Sequence, residues 1–184
     1  MTNIRILEKI NKVAGKARAV MVFFHLNDNE ESCYGHILGV SRQLLIMQTY
    51  YDFHTFDIKL IRLKDIINVR RSSVDITFDK ILKQFDRTGM TKVPGWLKFG
   101  NWHSVCNSIK KRKLCVTIEG NKLESDTFKV GIVNQVAKEY VTFKCILAEA
   151  KWQSKPEKFK YNEIRTIGLH NDYCDMFYSF MINQ

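Results

Sequence analysis

Proline and glycine are scarce in this chain, which has two prolines and nine glycines among 184 residues. A collagen-like protein needs glycine at every third position, so that class is excluded. Apolar residues make up 45% of the chain and charged residues 26%, which is ordinary globular usage. This balance excludes a coiled-coil fibre and a wholly disordered chain. The length suits one or two packed domains.

Long apolar runs are also missing. The strongest run, Ala19–Phe24, has six residues, whereas a transmembrane helix needs about 20. Charged side chains interrupt the apolar residues near the N-terminus, unlike the unbroken core of a secretory signal. The five cysteines are odd in number and lie mostly within apolar patterns, which is typical of free thiols. We therefore expect a cytoplasmic protein with no membrane partner.

Motifs of several enzyme classes are absent as well. The sequence has no G-x-S-x-G elbow, no P-loop and no dinucleotide fingerprint. His103 and Cys106 share a predicted helix, but Cys106 lies on its apolar face, which favours packing over nucleophilic catalysis. No cysteine pair has zinc-ligand spacing, although metal-binding residue types lie near one another at Cys33, His25, His36 and His54. We expect no enzymatic activity, no catalytic residue, no metal and no cofactor.

Glycine and proline are concentrated in one segment near the middle of the chain. The segment DRTGMTKVPGWLKFG, residues 86–100, holds three of the nine glycines and Pro94. This composition is typical of a turn or linker between two periodic regions. We predict a first unit over residues 1–88, a Pro/Gly linker over 89–100 and a second unit over 101–184.

Periodicity predicts the same succession of elements in each half. A helix is expected at the start of each half, and Asn101 is the predicted N-cap of the second. Strands are expected in the first half at Ala19–Leu26, Cys33–Val40, Leu44–Tyr51 and His54–Val69. Strands are expected in the second half at Leu114–Glu119, Phe128–Val136, Tyr140–Leu147 and Lys158–Leu169. A short helix follows in each half.

The residue patterns of the two halves also match, in the same order along the chain, when the halves are aligned at an offset of 96 residues. Gly35 lies over Gly131 and Val40 lies over Val136, within longer stretches of similar patterning. An ordered succession of matches favours a tandem duplication.

The phrases GHILGVSRQLLIM and KLIRLKDIINV, which follow a helix and a first strand, resemble the Sm-like (LSm) proteins. That family uses a short helix and a bent five-stranded antiparallel barrel, and many members form rings that bind RNA. The resemblance implies an α+β fold of two tandem small antiparallel β-barrels, each preceded by a helix and followed by a short helix. The family's RNA-contacting residues are not matched, since Val40 and Leu44 occupy the region where an Asp and an Asn normally follow the glycine strand.

Basic residues carry the main functional expectation. Lys and Arg total 29 against 19 acidic residues, a formal net charge of +10. Clusters of cations neutralise phosphates and release counterions, so we expect the chain to bind nucleic acid, RNA before DNA, or another polyanion. The predicted nucleic-acid-binding residues are Lys110, Lys111, Arg112, Lys113, Arg70 and Arg71. The alternative is simple solvation, because the dipole of a helix favours cations at its C-terminus.

Aromatic residues crowd one predicted hairpin connection, QTYYDFHTF over residues 48–56. Exposed aromatic rings stack on unpaired bases or anchor protein interfaces, so Tyr50, Tyr51 and Phe53 are predicted interface or stacking residues. The alternative is cross-strand pairing inside the barrel. A second functional hypothesis follows: a protein-interaction or assembly module that binds a protein partner, or a second copy of itself, through sheet edges and this loop.

Overall fold

The structure is a computed structural model, and it describes residues 4–26, 29–90, 92–120 and 128–183. The chain divides into two compact units between Pro94 and Gly95. This division falls within residues 89–100, although the extent of the linker itself stays a prediction. In the described part of the chain, no helix has the length and apolar content needed to cross a membrane.

The first unit contains two helices and five strands among its described residues. The helices are α1 (Ile4–Val13) and α2 (Ser73–Gln84). The strands are β1 (Ala19–Leu26), β2 (Asn29–Val40), β3 (Leu44–Tyr51), β4 (His54–Arg62) and β5 (Ile66–Arg70), with a 3₁₀ turn at Leu63–Asp65. They pair in the order β5-β1-β2-β3-β4, and each pair is antiparallel.

Helix α1 packs on one face of this sheet. Apolar residues at helical spacing place Ile6, Ile10 and Val13 on one side of α1, and all three are buried. They join a core that includes alternate residues of β1, Val20 and Val22. Strand alternation therefore sets which side of the sheet faces α1.

The second unit has the same order of elements in its described residues. The helices are α3 (Trp102–Arg112) and α4 (Asp172–Ile182). The strands are β6 (Cys115–Gly120), β7 (Lys129–Val136), β8 (Tyr140–Ile146), β9 (Glu157–Lys160) and β10 (Ile164–Leu169), in the antiparallel order β10-β6-β7-β8-β9. The side chain of Asn101 accepts a 2.9 Å hydrogen bond from the backbone N–H of Ser104, which confirms the predicted N-cap.

The prediction of two tandem Sm-like barrels is wrong. Five strands close into a barrel only when the first and last strands of the pairing order bond to each other. Among the described residues β4 does not pair with β5, and β9 does not pair with β10, so the antiparallel β-structure is open. Alternation predicts which side chains face a core, but closure depends on strand tilt and register, which alternation does not encode. The architecture is α+β, without the barrels that the resemblance implied.

Two glycines allow neighbouring strands to approach closely. A Cβ added at Gly35 would lie 1.9 Å from the carbonyl oxygen of Gln48 on β3. A Cβ added at Gly131 would lie 2.3 Å from the carbonyl oxygen of Lys144 on β8. A larger residue at either position therefore requires the strands to separate.

Candidate nucleic-acid interface

Four consecutive cations at the end of α3 form an exposed group, called here the helix-end cluster: Lys110, Lys111, Arg112 and Lys113. The guanidinium carbon of Arg112 lies 5.4 Å from the centroid of the Trp96 ring. Lys113 ends the helix with a left-handed backbone, at φ 54. The helix dipole stabilises these cations, and all four side chains remain accessible to an anionic partner.

The two predicted arginines of the first unit have different environments. Arg70 is exposed at the end of β5, with its guanidinium carbon 5.9 Å from the centroid of Phe23. Arg71 is half-buried and donates hydrogen bonds to the carbonyl oxygen of Ala19 at 2.6 Å and to Oδ2 of Asp79 at 2.7 Å. Because its guanidinium is engaged inside the unit, Arg71 joins β1 to α2, and Arg70 is the member of the pair that faces solvent.

The three predicted stacking residues in the aromatic segment 48–56 also differ in how exposed they are. Tyr50 is 7% exposed, and its hydroxyl donates a hydrogen bond to the carbonyl oxygen of Thr88. Phe53 stacks on Phe78 of α2, with ring centroids 4.5 Å apart. Tyr51 is 71% exposed. Of the three predicted stacking residues, Tyr51 is therefore the one that solvent reaches most freely.

A buried polar cluster lies where β2 and β3 meet α2, and no sequence motif pointed to it. His36 is 1% exposed. Its Nε2 lies 3.6 Å from Oδ1 of Asp79, and its Nδ1 lies 3.2 Å from the hydroxyl of Tyr50. Asp79 also accepts hydrogen bonds from the backbone N–H of Ala19 at 2.8 Å and from Arg71. The Asp79 carboxylate thus links α2 to both β1 and β2.

Burial controls the charge of the histidine in this cluster. Loss of solvent lowers the pKa of His36 below its ordinary value, although the nearby Asp79 carboxylate acts in the opposite direction. Arg71 lowers the pKa of His36 further through charge repulsion. His36 is therefore neutral at neutral pH in the folded protein.

The lowered pKa of His36 makes stability depend on pH. As the pH falls through about 6.5, the unfolded chain binds the proton before the folded chain does, so acid favours unfolding. We expect the free energy of unfolding to decrease by up to about 1.4 kcal/mol per pH unit in this range. Denaturant titrations between about pH 7.5 and pH 5.5 measure this slope. It should become shallower in His36→Gln; a slope equal to that of the unaltered protein would contradict the assignment.

Strands β8 and β9 carry a second group of cations that the sequence analysis missed. Val141 and Phe143 of β8 are buried, whereas Tyr140 and Lys144 point to the opposite face and are half-buried. The ammonium of Lys158 on β9 lies 4.0 Å from the centroid of Tyr140. We call this surface the lysine–aromatic face, and its members are Tyr140, Lys144, Trp152, Lys158 and Lys160.

The same face includes a second ring and a cleft. The ammonium of Lys144 lies 4.4 Å from the centroid of Trp152. A cleft of about 370 Å³ is lined by Glu139, Tyr140, Lys158, Lys160, Tyr161 and Asn162. Alternation along β8 and β9 could have placed these lysines on one face, but the cross-strand partners follow only from the observed register, in which Tyr140 lies opposite Lys160.

The thiol and metal alternatives have less structural support. Cys106 is fully buried, which raises the pKa of its thiol to about 12. A thiol that is protonated at neutral pH is a poor nucleophile. Within the described ranges, no three His, Cys, Asp or Glu side chains are placed to hold a metal ion.

No protein-family model matches this chain, and no curated protein or solved structure matches it either. The chemistry of the exposed surface is therefore the basis on which a function can be proposed for this chain.

Proposed function

We propose that the protein is a non-enzymatic nucleic-acid-binding module, with RNA preferred to DNA, that contacts phosphates through the helix-end cluster. The observation that carries the proposal is a run of four adjacent exposed cations, Lys110 to Lys113. Cations that neutralise phosphates release condensed counterions, which supplies affinity without sequence recognition. The net charge of +10 also favours encounter with a polyanion.

Two further features support parts of this proposal. Arg70 adds an exposed cation on the first unit that can contact phosphate. Arg71 instead stabilises the fold of that unit through its hydrogen bonds to Ala19 and Asp79. The five cysteines all lie in the described part of the chain and form no disulfide there, which agrees with the reducing cytoplasm that we propose as the location.

Removing three charges of the helix-end cluster should weaken RNA binding strongly. The triple variant is Lys110→Gln, Lys111→Gln, Arg112→Gln. We expect its salt slope, the slope of the logarithm of the binding constant against the logarithm of the salt concentration, to fall in magnitude by about 2. The affinity should fall about 50-fold at roughly 0.15 M salt. The measurement is fluorescence anisotropy with a labelled, mixed-sequence single-stranded RNA across a salt series. Glutamine is chosen because glutamate at a helix C-terminus would also destabilise the helix.

The matched control removes three exposed lysines elsewhere: Lys80→Gln, Lys83→Gln and Lys155→Gln. It changes the net charge equally, so its affinity should fall much less if the cluster is the contact. Equal losses in both triples would contradict the helix-end site. Absence of RNA binding by the unaltered protein at low salt would contradict the proposed function as a whole.

A protein-interaction module is the second candidate, and one feature of the first unit favours it. An apolar cleft of about 280 Å³ is lined by Asp52, Phe53, Ile81, Leu82, Phe85 and Arg87. Phe85 is 65% exposed at its edge, and Tyr51 of the neighbouring loop is 71% exposed. Exposed rings of this kind anchor protein interfaces, so a failure to bind RNA would favour this candidate.

A further inference from the structure

We propose that single-stranded nucleic acid crosses the lysine–aromatic face, with unpaired bases stacking on its two rings and phosphates meeting its lysines. The inference rests on the proposed function and specifies the form of nucleic acid that the second unit prefers. Non-specific single-strand binders combine a cationic surface with aromatic rings in this way. A duplex keeps its bases stacked on each other and cannot offer them to Tyr140 or Trp152.

The rings are placed to receive bases. Tyr140 and Trp152 are half-buried, so part of each side chain stays accessible. Trp152 also packs beside Cys174 of α4 and lies edge-on to Tyr178, with ring centroids 6.3 Å apart, which holds its ring in place. Lys158 covers Tyr140 at 4.0 Å, but this lysine is exposed and can move. Base stacking on an aromatic ring is worth more than a cation–π contact at an exposed site. A base therefore displaces the ammonium from the ring and leaves it free to meet the adjoining phosphate.

The cleft beside Tyr140 gives this face a concave site. Its volume of about 370 Å³ falls within the range of small-ligand sites, about 300 to 1,000 Å³. Lys158 and Lys160 supply positive charge at its wall, and Glu139 supplies one carboxylate. The wall thus carries two cations against one anion, which favours an anionic ligand.

A polar face of α3 connects the cleft to the helix-end cluster. The ring of His103 packs edge-on against Tyr161 of the cleft, with centroids 6.0 Å apart. His103, Asn107 and Lys110 follow one another at helical spacing and so share one face of α3. At 1.5 Å per residue this face covers roughly 10 Å from His103 to Lys110. One strand can therefore stack in the cleft and continue along α3 to the cluster.

The test removes the two rings and keeps the charges. The double variant Tyr140→Leu, Trp152→Leu should bind a labelled single-stranded RNA about 25-fold less tightly, since each ring contributes at least about 5-fold. Binding of a duplex RNA of the same length should stay unchanged, because its phosphates use the helix-end cluster. The matched control Tyr140→Phe, Trp152→Phe keeps an aromatic ring at both positions and should retain most of the single-strand affinity that the leucine variant loses. Single-stranded DNA of the same sequence serves as a further probe and should show the same dependence on the rings.

Each outcome is decisive. Unchanged single-strand affinity in the leucine variant overturns the inference, while the helix-end triple separately reports on the proposed function. Equal losses for single strand and duplex also overturn it, because stacking then plays no part. If the leucine variant is less stable than the phenylalanine control, the exposed pair Lys158→Gln, Lys160→Gln replaces it. That pair should lower the single-strand salt slope by about 1.4, and an unchanged slope overturns the inference.

Discussion

Replacing Asp79 with alanine is expected to lower the free energy of unfolding of the first unit by about 3 kcal/mol. The carboxylate accepts hydrogen bonds from Arg71 and from the backbone N–H of Ala19, and it lies 3.6 Å from Nε2 of His36. The side chains of Arg71 and Asp79 are only 26% and 16% exposed, so water replaces the lost partner incompletely. Denaturant unfolding followed by circular dichroism measures the change.

Three further variants define the cause of this loss. Asp79→Asn keeps an oxygen acceptor without the charge and should cost about half as much as the alanine variant. Arg71→Ala should cost less in the Asp79→Ala background than alone, because the two side chains form one network. The exposed carboxylate control, Glu149→Ala, should change stability by less than about 0.5 kcal/mol. An Asp79→Ala loss as small as that of the control would show that the carboxylate does not link α2 to the sheet.

Alanine at Gly35 is expected to cost the first unit about 3 kcal/mol. The new Cβ would lie 1.9 Å from the carbonyl oxygen of Gln48 and 2.9 Å from Cα of Thr49. Both are backbone atoms, so no side-chain rotation relieves the clash, and β2 must move away from β3. The ladder hydrogen bonds between these strands lengthen as a result. Denaturant unfolding measures this loss, and Gly131→Ala should have a comparable effect in the second unit.

Gly95→Ala is the matched control for this change. A Cβ at Gly95 meets no atom within 4 Å. Alanine there reduces the freedom of the unfolded chain and should stabilise by about 0.4 to 1 kcal/mol. If Gly35→Ala were as harmless as Gly95→Ala, close approach of the two strands could not be the reason for glycine at position 35.

The periodicity of the sequence predicts strand positions well but misses breaks within a strand. Strands β1 and β3 coincide with the predicted segments Ala19–Leu26 and Leu44–Tyr51. The segment His54–Val69 is predicted as one strand, yet a 3₁₀ turn at Leu63–Asp65 separates β4 from β5. Arg62 and Asp65 pair across this turn at 2.6 Å. The apolar pattern continues through the turn, so alternation alone does not reveal it.

The candidate sites show the same limit. Consecutive charges at the end of a helix cannot all point inward, so exposure of the helix-end cluster was foreseeable from Lys110 to Lys113. Arg70 and Arg71 look alike in the sequence, and only the packing of Asp79 against β1 separates them. The lysine–aromatic face depends on the register that sets β9 beside β8. Cross-strand partners are tertiary information, which one strand's pattern does not contain.

The left-handed backbone of Lys113 has a consequence for how this protein responds to sequence change. Glycine is the usual residue at such a helix end, and a side chain there costs about 1 kcal/mol or more. Lys113 therefore places a positive charge at a position where the backbone conformation favours glycine, which is uncharged. Replacing Lys113 with glycine would therefore relieve the backbone strain and remove one cation from the helix-end cluster in a single step.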